Sequence, residues 1–286
     1  MDITYDVLVV DGLPIAGRPT PDGHAPKWSP SSVTLISSGG KSVLVDGLLT
    51  AEDGRRMVEW IDGHDTELEA VYVTHGHGDH FFGLEPVLQR YPRARVIARP
   101  EVAAAIPGQI SGPMFTEVWE PLFGDKLAGT FPSAEPCGDA YDLNGHTVEF
   151  VSAGHSDCPD TTFVHVPDLD LVVAGDIVYN NVTPYVVYTN AEKRRQWRAC
   201  LDLVAERNPA HVVAGHTDPD SPHDPRHIEL TRQFLLDVDD VLARGEQSLP
   251  NYEEMVRRHP DRINRGALWA GIATQTKTRD KAAQAS

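Results

Sequence analysis

The heptapeptide THGHGDH at residues 74–80 places three imidazoles and one carboxylate within six residues, His75 to His80. Imidazole nitrogen and carboxylate oxygen are the donors that borderline divalent ions such as Zn²⁺ prefer. The two intervening glycines remove side-chain bulk, so the loop is able to fold its flanking side chains around a cation. An apolar run at 70–74 predicts a strand that gives the loop a rigid base. We therefore expect a metal site with His75, His77, Asp79 and His80 as ligands.

A second pattern occurs three times further along the chain. An apolar run typical of a strand ends, a glycine turns the chain, and a residue able to bind a metal follows. The runs are 147–152, 171–174 and 211–214, and the residues that follow them are His155, Asp176 and His216. One such residue alone is typical of a surface turn, but three repeats of the pattern favour a shared site.

The rest of the chain predicts stacked layers of sheet and helix. Short strands alternate with helices up to residue 106, which is a β-then-βα pattern. Amphipathic helices are predicted at 191–207 and within 223–260, and the polar tail 277–286 is expected to fray. We find no internal repeat or linker, so residues 1–286 are expected to form a single domain.

Residues 107–136 fit no helix or strand well, because proline and glycine are frequent there. The segment nevertheless carries apolar and aromatic side chains. A long irregular segment in a compact domain is usually functional or disordered. We interpret it as a lid or a pocket wall, with simple packing over the core as the alternative. The apolar side chains are Met114, Phe115, Val118, Trp119, Leu122 and Phe123.

Composition narrows the choice of partners and location. The formal net charge of −17, with no Lys/Arg run longer than two residues, disfavours nucleic acid as a partner. No apolar run approaches the roughly 20 residues of a membrane span, and the amino terminus shows no signal-peptide features. The three cysteines match no zinc or redox spacing. These observations favour the cytoplasm and a small-molecule substrate. The oligomeric state is left open, with a homodimer as one alternative.

The seven candidate ligands also carry a family resemblance. Over roughly 33–216 the chain resembles the metallo-β-lactamase superfamily, whose pattern is H-x-H-x-D-H followed by a distant His, Asp and His. The resemblance implies an α/β fold, the four-layer αββα sandwich, and a site with two metal ions. It implies one ion on His75, His77 and His155, a second on Asp79, His80 and His216, and Asp176 bridging them. It also implies that Asp46, at a strand end, orients a ligand histidine.

The resemblance further implies the chemistry. Two close divalent ions, Zn²⁺ or else Fe or Mn, lower the pKa of a shared water, and the resulting bridging hydroxide attacks a carbonyl or phosphoryl centre. Asp79 is expected to orient the nucleophile or carry a proton. A phenol from Tyr179 or Tyr185, on the segment after Asp176, is a candidate oxyanion donor or leaving-group acid. Cys158 is interpreted as a buried small residue rather than a nucleophile.

Four catalytic functions are consistent with these residues, and a non-catalytic metal-binding scaffold is disfavoured because every ligand position is filled. A small lactone, ester, thioester or amide suits the acidic chain and its aromatic segment, and this hydrolase function is the main hypothesis. A true β-lactamase is disfavoured by Asp176, because many lactamases have Cys or Ser there, which points to the non-lactamase branch. A phosphodiesterase is disfavoured by the charge. An iron-dependent oxidoreductase is disfavoured because no room remains for a flavin domain and the second metal site is complete.

Overall fold

The structure, a computed structural model, describes residues 2–285, with side chains through Lys281. The first part of the chain builds a six-stranded sheet in the order β1-β2-β3-β4-β5-β6. Strands β1 to β3 are antiparallel neighbours, and β3 to β6 run parallel. The strands are Ile3–Val10 (β1), Ser31–Ser38 (β2), Lys41–Val45 (β3), Glu67–Tyr72 (β4), Arg95–Ala98 (β5) and Glu135–Pro136 (β6).

A second sheet of five strands has the order β12-β10-β9-β8-β7. Its strands β10 and β12 run parallel, so their carboxyl ends lie at the same edge. The short strands β11 and β13 pair separately, with Tyr179 opposite His216. The strands are Ala140–Leu143 (β7), His146–Gly154 (β8), Thr161–Val166 (β9), Leu171–Val173 (β10), Tyr179–Asn180 (β11), His211–Val213 (β12) and His216–Thr217 (β13).

Helices cover the outer face of each sheet. The helices α1 to α3 pack on the six-stranded sheet, and α6 to α9 pack on the five-stranded sheet. A capping box between Thr50 and Asp53 starts α1. The helices are Ala51–Asp62 (α1), Leu84–Arg90 (α2), Pro100–Ala105 (α3), Pro107–Ile110 (α4), Glu120–Phe123 (α5), Ala191–Ala205 (α6), Arg226–Ala243 (α7), Ser248–Arg258 (α8) and Arg265–Ala285 (α9).

A third apolar cluster lies between the two sheets. Tyr72 of β4 stacks on Phe150 of β8 with ring centroids 3.8 Å apart, and its hydroxyl lies 2.7 Å from the Thr162 hydroxyl. Residues such as Ile36 and Val164 complete this layer, and both are fully buried. The order is therefore helices, sheet, sheet, helices, which confirms the predicted αββα sandwich.

Two segments differ from the sequence prediction. Residues 107–136 are not irregular throughout, because they form α4, a π-helical turn at Phe115–Trp119, α5 and β6. Trp119 and Phe123 of this segment are buried in the core, and their burial stabilises turns that proline and glycine would otherwise weaken. The predicted frayed tail also differs, since residues 277–285 continue α9 and Ser286 lies outside the described residues. Within residues 2–285, no helix is long and apolar enough to cross a membrane.

Candidate metal centre

The loop after β4 is held by the buried carboxylate of Asp46, which follows β3. Its Oδ1 accepts a hydrogen bond from the Thr74 backbone N–H at 2.8 Å, and its Oδ2 accepts one from the Thr74 hydroxyl at 2.9 Å. The Asp46 Oδ2 also lies 2.9 Å from His80 Nδ1. Because Nδ1 is engaged by this contact, the other ring nitrogen of His80 is left as the ligand atom.

The glycines of the loop are required by close approach of their neighbours. A Cβ added to Gly78 would lie 2.5 Å from the Phe82 ring, and one added to Gly76 would lie 2.9 Å from the Ala105 Cβ. Real side chains essentially never come so close. The loop therefore packs tightly onto the helices behind it, and its histidines are held in place by this packing.

Asp176 lies at the centre of the site, where a short 3₁₀ turn follows β10. Its Oδ1 is 3.3 Å from His80 Nε2, and its Oδ2 is 3.2 Å from His216 Nε2 and 4.0 Å from His75 Nε2. The Tyr179 hydroxyl donates a hydrogen bond of 2.8 Å to Oδ2. The carboxylate thus faces His80 and His216, which the resemblance assigns to one ion, and His75, which it assigns to the other, as a bridging ligand must.

Asp79 lies next to His216 and is fixed from outside the loop. The Asp79 Oδ2 is 3.5 Å from His216 Nε2, and it accepts a hydrogen bond of 2.9 Å from the indole N–H of Trp28. Trp28 belongs to the segment between β1 and β2, and its ring packs edge-on against Trp119 and Phe123. The aromatic segment 107–136 is therefore linked to a predicted ligand through one indole.

The predicted ligands fall into three clusters within the described residues. In each cluster the ligand atoms lie within 4.8 Å of one another. Six of the seven predicted ligands belong to these clusters, but His155 does not. The clusters are His75, His80 and Asp176; Asp79, His80 and His216; and His75, His77, Asp157 and Cys158.

His155 lies at the edge of the same cavity as His77. Its Nδ1 is 2.9 Å from the backbone carbonyl of Ser156, and its Nε2 is buried and makes no hydrogen bond within the described residues. An Nδ1–H that donates to a carbonyl leaves a lone pair on Nε2, which is the tautomer of a metal ligand. The imidazole is thus prepared for ligation, and its role as a ligand stays a prediction.

Several buried polar atoms at the site make no hydrogen bond within residues 2–285. Buried polar groups in folded proteins are almost always paired, so a cluster of unpaired ones requires an explanation. A divalent cation supplies it, since imidazole nitrogens and carboxylate oxygens are its preferred donors. The residues therefore fit the metal ions that the sequence predicts. The atoms are Nε2 of His75, His80 and His155, Oδ1 of Asp176 and Oδ2 of Asp157.

Charges and burial shift the pKa values of these groups in opposite directions. Burial and the neighbouring His80 lower the pKa of His75 to about 4. Burial would also lower the pKa of His216, but the Asp176 carboxylate outweighs it and raises this pKa to about 9. Burial disfavours ionised Asp176, yet the adjacent His216 and His80 hold its pKa well below the usual range. Without metal, His216 and Asp176 are therefore an ion pair, whereas His75 is neutral.

A cavity of about 300 Å³ opens onto this centre. Asp79, Asp176 and His216 lie at its base, and its wall is aromatic and apolar. Side chains of the segment 107–136, Met114 and Trp119 among them, line part of that wall. The apolar wall includes Trp28, Met114, Val118, Trp119, Leu122, Tyr185 and Trp269.

The two candidate tyrosines are placed differently. Tyr179 is fully buried, and its hydroxyl is used by Asp176. Tyr185 is half-buried and lines the cavity, with its ring 5.8 Å from that of Tyr188. Both tyrosines line the cavity, but the Tyr179 hydroxyl is engaged by Asp176, and a catalytic role for either phenol stays a prediction.

The sequence profile of the Metallo-beta-lactamase superfamily matches residues 26–216. The chain belongs to the metallo-β-lactamase superfamily. A hydroxyacylglutathione hydrolase from Synechococcus sp. (strain CC9605) is 26% identical over 208 residues, covering 70% of this chain and 74% of the relative. A hydroxyacylglutathione hydrolase from Tolumonas auensis is 26% identical over 141 residues, covering 48% of this chain and 49% of the relative. The superfamily and these relatives identify the chain as a metal-dependent hydrolase.

Solved structures of the superfamily share the fold. A metallo-beta-lactamase family protein from Thermus thermophilus matches with a TM-score of 0.64 and 18% identity, over 97% of this chain and 94% of that chain. The metallo-beta-lactamase FIM-1 from Pseudomonas aeruginosa, in its mono-zinc form, matches with a TM-score of 0.56 and 15% identity, over 82% of this chain and 91% of that chain. At these identities the likeness concerns the superfamily fold alone.

Three features of the site were missed or misjudged from sequence. Trp28 stands in a proline-rich stretch without a motif, so nothing connected it to Asp79. Asp157 was not predicted as a ligand, because His155, two residues earlier, already matches the histidine of the superfamily pattern. The position of Cys158 beside the ligands was also not predicted: its thiol lies within 4.8 Å of the ligand atom of His75.

Proposed function

We propose that this chain is a dinuclear metal-dependent hydrolase that cleaves a small acyl thioester or related ester. The observation that carries the proposal is the Asp176 carboxylate at the base of an aromatic cavity. Its Oδ1 lies 3.3 Å from His80, a ligand expected for one ion, and its Oδ2 lies 4.0 Å from His75, a ligand expected for the other. Zn²⁺ is the ion we favour, because His and Asp ligands suit it. When bound, such ions activate water and polarise the carbonyl that is attacked.

The protein residues supply position and proton transfer around that chemistry. The Trp28 indole holds Asp79 by a 2.9 Å hydrogen bond, so that its second oxygen remains free to orient a nucleophile or carry a proton. The Tyr179 hydroxyl fixes Asp176. Tyr185 lines the cavity and is our candidate donor to the developing oxyanion or to the leaving group.

The cavity favours a substrate with an apolar acyl part and an anionic leaving part. Trp119 and Trp269 give an apolar wall, which suits a hydrocarbon or aromatic acyl group. The exposed basic side chains Arg18 and Lys27 also line the cavity, in a chain whose net charge is −17. Two cations at the mouth of an otherwise acidic protein favour a carboxylate-bearing thiol as leaving group. The hydroxyacylglutathione hydrolases among the relatives support a thioester.

The test is a substrate panel on purified, metal-analysed protein. It contains a carboxylate-bearing thioester, a neutral thioester of the same acyl group, a lactone, a β-lactam and a phosphodiester. We expect the highest kcat/KM for the carboxylate-bearing thioester, and we expect Asp176→Asn to abolish turnover together with bound metal. Preference for the β-lactam or the phosphodiester would refute the proposed substrate class.

Two further variants separate binding from chemistry. Replacing Arg18 and Lys27 together by alanine should raise KM for the carboxylate-bearing thioester and leave that of the neutral thioester unchanged. Tyr185→Phe should lower kcat by roughly 10²-fold or more, the scale of a lost proton donor.

The free cysteines Cys137, Cys158 and Cys200 support our further proposal that the enzyme works in the cytoplasm.

A further inference from the structure

A carboxylate outside the superfamily ligand set lies against the His75 and His77 side of the metal centre. It belongs to Asp157, whose side chain is 1% exposed and whose Oδ2 lies 2.9 Å from His77 Nδ1. The ligand atoms of Asp157, His75 and His77 lie within 4.8 Å of one another. We propose that Asp157 is an additional oxygen ligand of the metal ion held by His75 and His77.

The orientation of the carboxylate supports ligation over a simple ion pair. The Ser156 hydroxyl donates a hydrogen bond of 2.9 Å to Asp157 Oδ1, which fixes the carboxylate plane. Oδ2 is buried and, within the described part of the chain, makes no hydrogen bond. An imidazole N–H that served only as ion-pair partner would point at this oxygen and form one. Oδ2 and the His77 Nδ1 instead lie 2.9 Å apart without a hydrogen bond of ordinary geometry, as two ligand atoms of a common ion do.

The separation of the two atoms fits a shared cation. Zinc binds imidazole nitrogen and carboxylate oxygen at about 2.0–2.2 Å. Two donors at those distances are about 2.9–3.5 Å apart for angles between about 90° and 109° at the ion. The observed 2.9 Å between Asp157 Oδ2 and His77 Nδ1 lies at the short end of that range.

The consequence concerns which ion the site retains. Without Asp157, the ligands unique to this side are neutral imidazoles, and Asp176 is shared with the other side. A carboxylate adds a negative charge and a hard oxygen donor, which strengthens binding of a dication. This inference concerns metal binding alone, so its outcome does not depend on the substrate proposed above.

The experiment compares Asp157→Asn with Asp160→Asn, a matched loss of charge three residues along the same loop. Zn²⁺ affinity is measured by competition with a chromophoric chelator, and the Co²⁺-loaded proteins are compared by absorption spectroscopy. Melting of the metal-free proteins checks that both variants fold. We expect Asp157→Asn to lower the affinity for the Zn²⁺ ion held by His75 and His77 at least tenfold and to change the Co²⁺ spectrum. Asp160→Asn should match the parent in both measurements.

The Co²⁺ spectrum distinguishes a ligand from a structural partner. Asp157→Asn removes the charge that faces His77 in the metal-free protein, so a lower metal-free melting temperature is expected in either case, whereas the Co²⁺ spectrum changes only if Asp157 is a ligand. Unchanged Zn²⁺ affinity would overturn the proposal. A lower melting temperature of the metal-free variant, with an unchanged Co²⁺ spectrum, would also overturn it, because Asp157 would then serve only to hold His77.

Discussion

Gly215 is the glycine between strand β12 and His216, and its replacement by alanine has a specific predicted effect on the metal site. It separates β12 from His216, and a Cβ built on it would lie 2.4 Å from Asp176 Oδ1 and 2.8 Å from His80 Cε1. Ordinary contact begins at 3.4 Å, so in Gly215→Ala the Asp176 oxygen must retreat by about 1.0 Å. Metal–ligand distances tolerate only about 0.2 Å. The variant should therefore lose coordination by the central carboxylate.

We expect Gly215→Ala to lower metal affinity at least tenfold and kcat/KM by roughly 10²-fold, the scale of a 1 Å misplacement at a reacting centre. Overpacking should also cost about 1–3 kcal/mol in the free energy of unfolding. Metal content by mass spectrometry, chelator competition and denaturant titration measure the three effects. Gly138→Ala is the control, because nothing lies within 4 Å of its added Cβ. Full metal content and turnover in Gly215→Ala would refute the reasoning.

Three further predictions test the contacts around the site. Asp46→Asn should weaken metal binding about 10–100-fold, because the carboxylate that orients His80 is lost, and an unchanged chelator titration would contradict this. Trp28→Phe keeps the ring but removes the donor to Asp79, so kcat/KM should fall about tenfold with an unchanged circular dichroism spectrum. The pKa of His216 is raised to about 9, so protonated His216 stabilises the metal-free protein fully below pH 6.5. This contribution is lost as pH rises through about 9, and denaturant midpoints measured at several pH values will show the loss.

The sequence predicted the layers because the longer β-strands have a local signature. Strands β1 to β5, β8 to β10 and β12 are apolar runs bounded by turn residues, whereas the short strands β6, β7, β11 and β13 carry no such signature. Helix α9 lacked such a signature. It contains Gly266 and Gly271, which oppose helix formation, and its stability comes from packing. A Cβ on Gly271 would lie 2.7 Å from Val186 Cγ2, a contact that no local pattern reveals.

The three strand-end glycines show how one sequence pattern hides different physical causes. Gly154 and Gly175 have positive φ values of 101° and 49°, so the backbone itself favours glycine there. Gly215 is not in that region, and it must be glycine because Asp176 lies against it. The pattern predicts His155, Asp176 and His216 as ligands, and the structure places Asp176 and His216 3.2 Å apart. Which constraint acts at each glycine depends on neighbours far apart in sequence, which only the folded structure brings together.

The two sides of the centre differ in what a metal ion must displace. On one side, His216 has a pKa of about 9 and is paired with Asp176, so an ion arriving there replaces a proton near neutral pH. On the other side, His75 has a pKa of about 4 and already offers a neutral nitrogen. Asp157 adds a carboxylate to that second side, where the other ligands that are not shared with the first side are imidazoles. Burial would lower the pKa of His77 on that side, but the Asp157 carboxylate outweighs it and raises this pKa. Both sides should therefore release a proton as Zn²⁺ loads, from His216 on the first and from His77 on the second, and a pH-stat titration at neutral pH measures this.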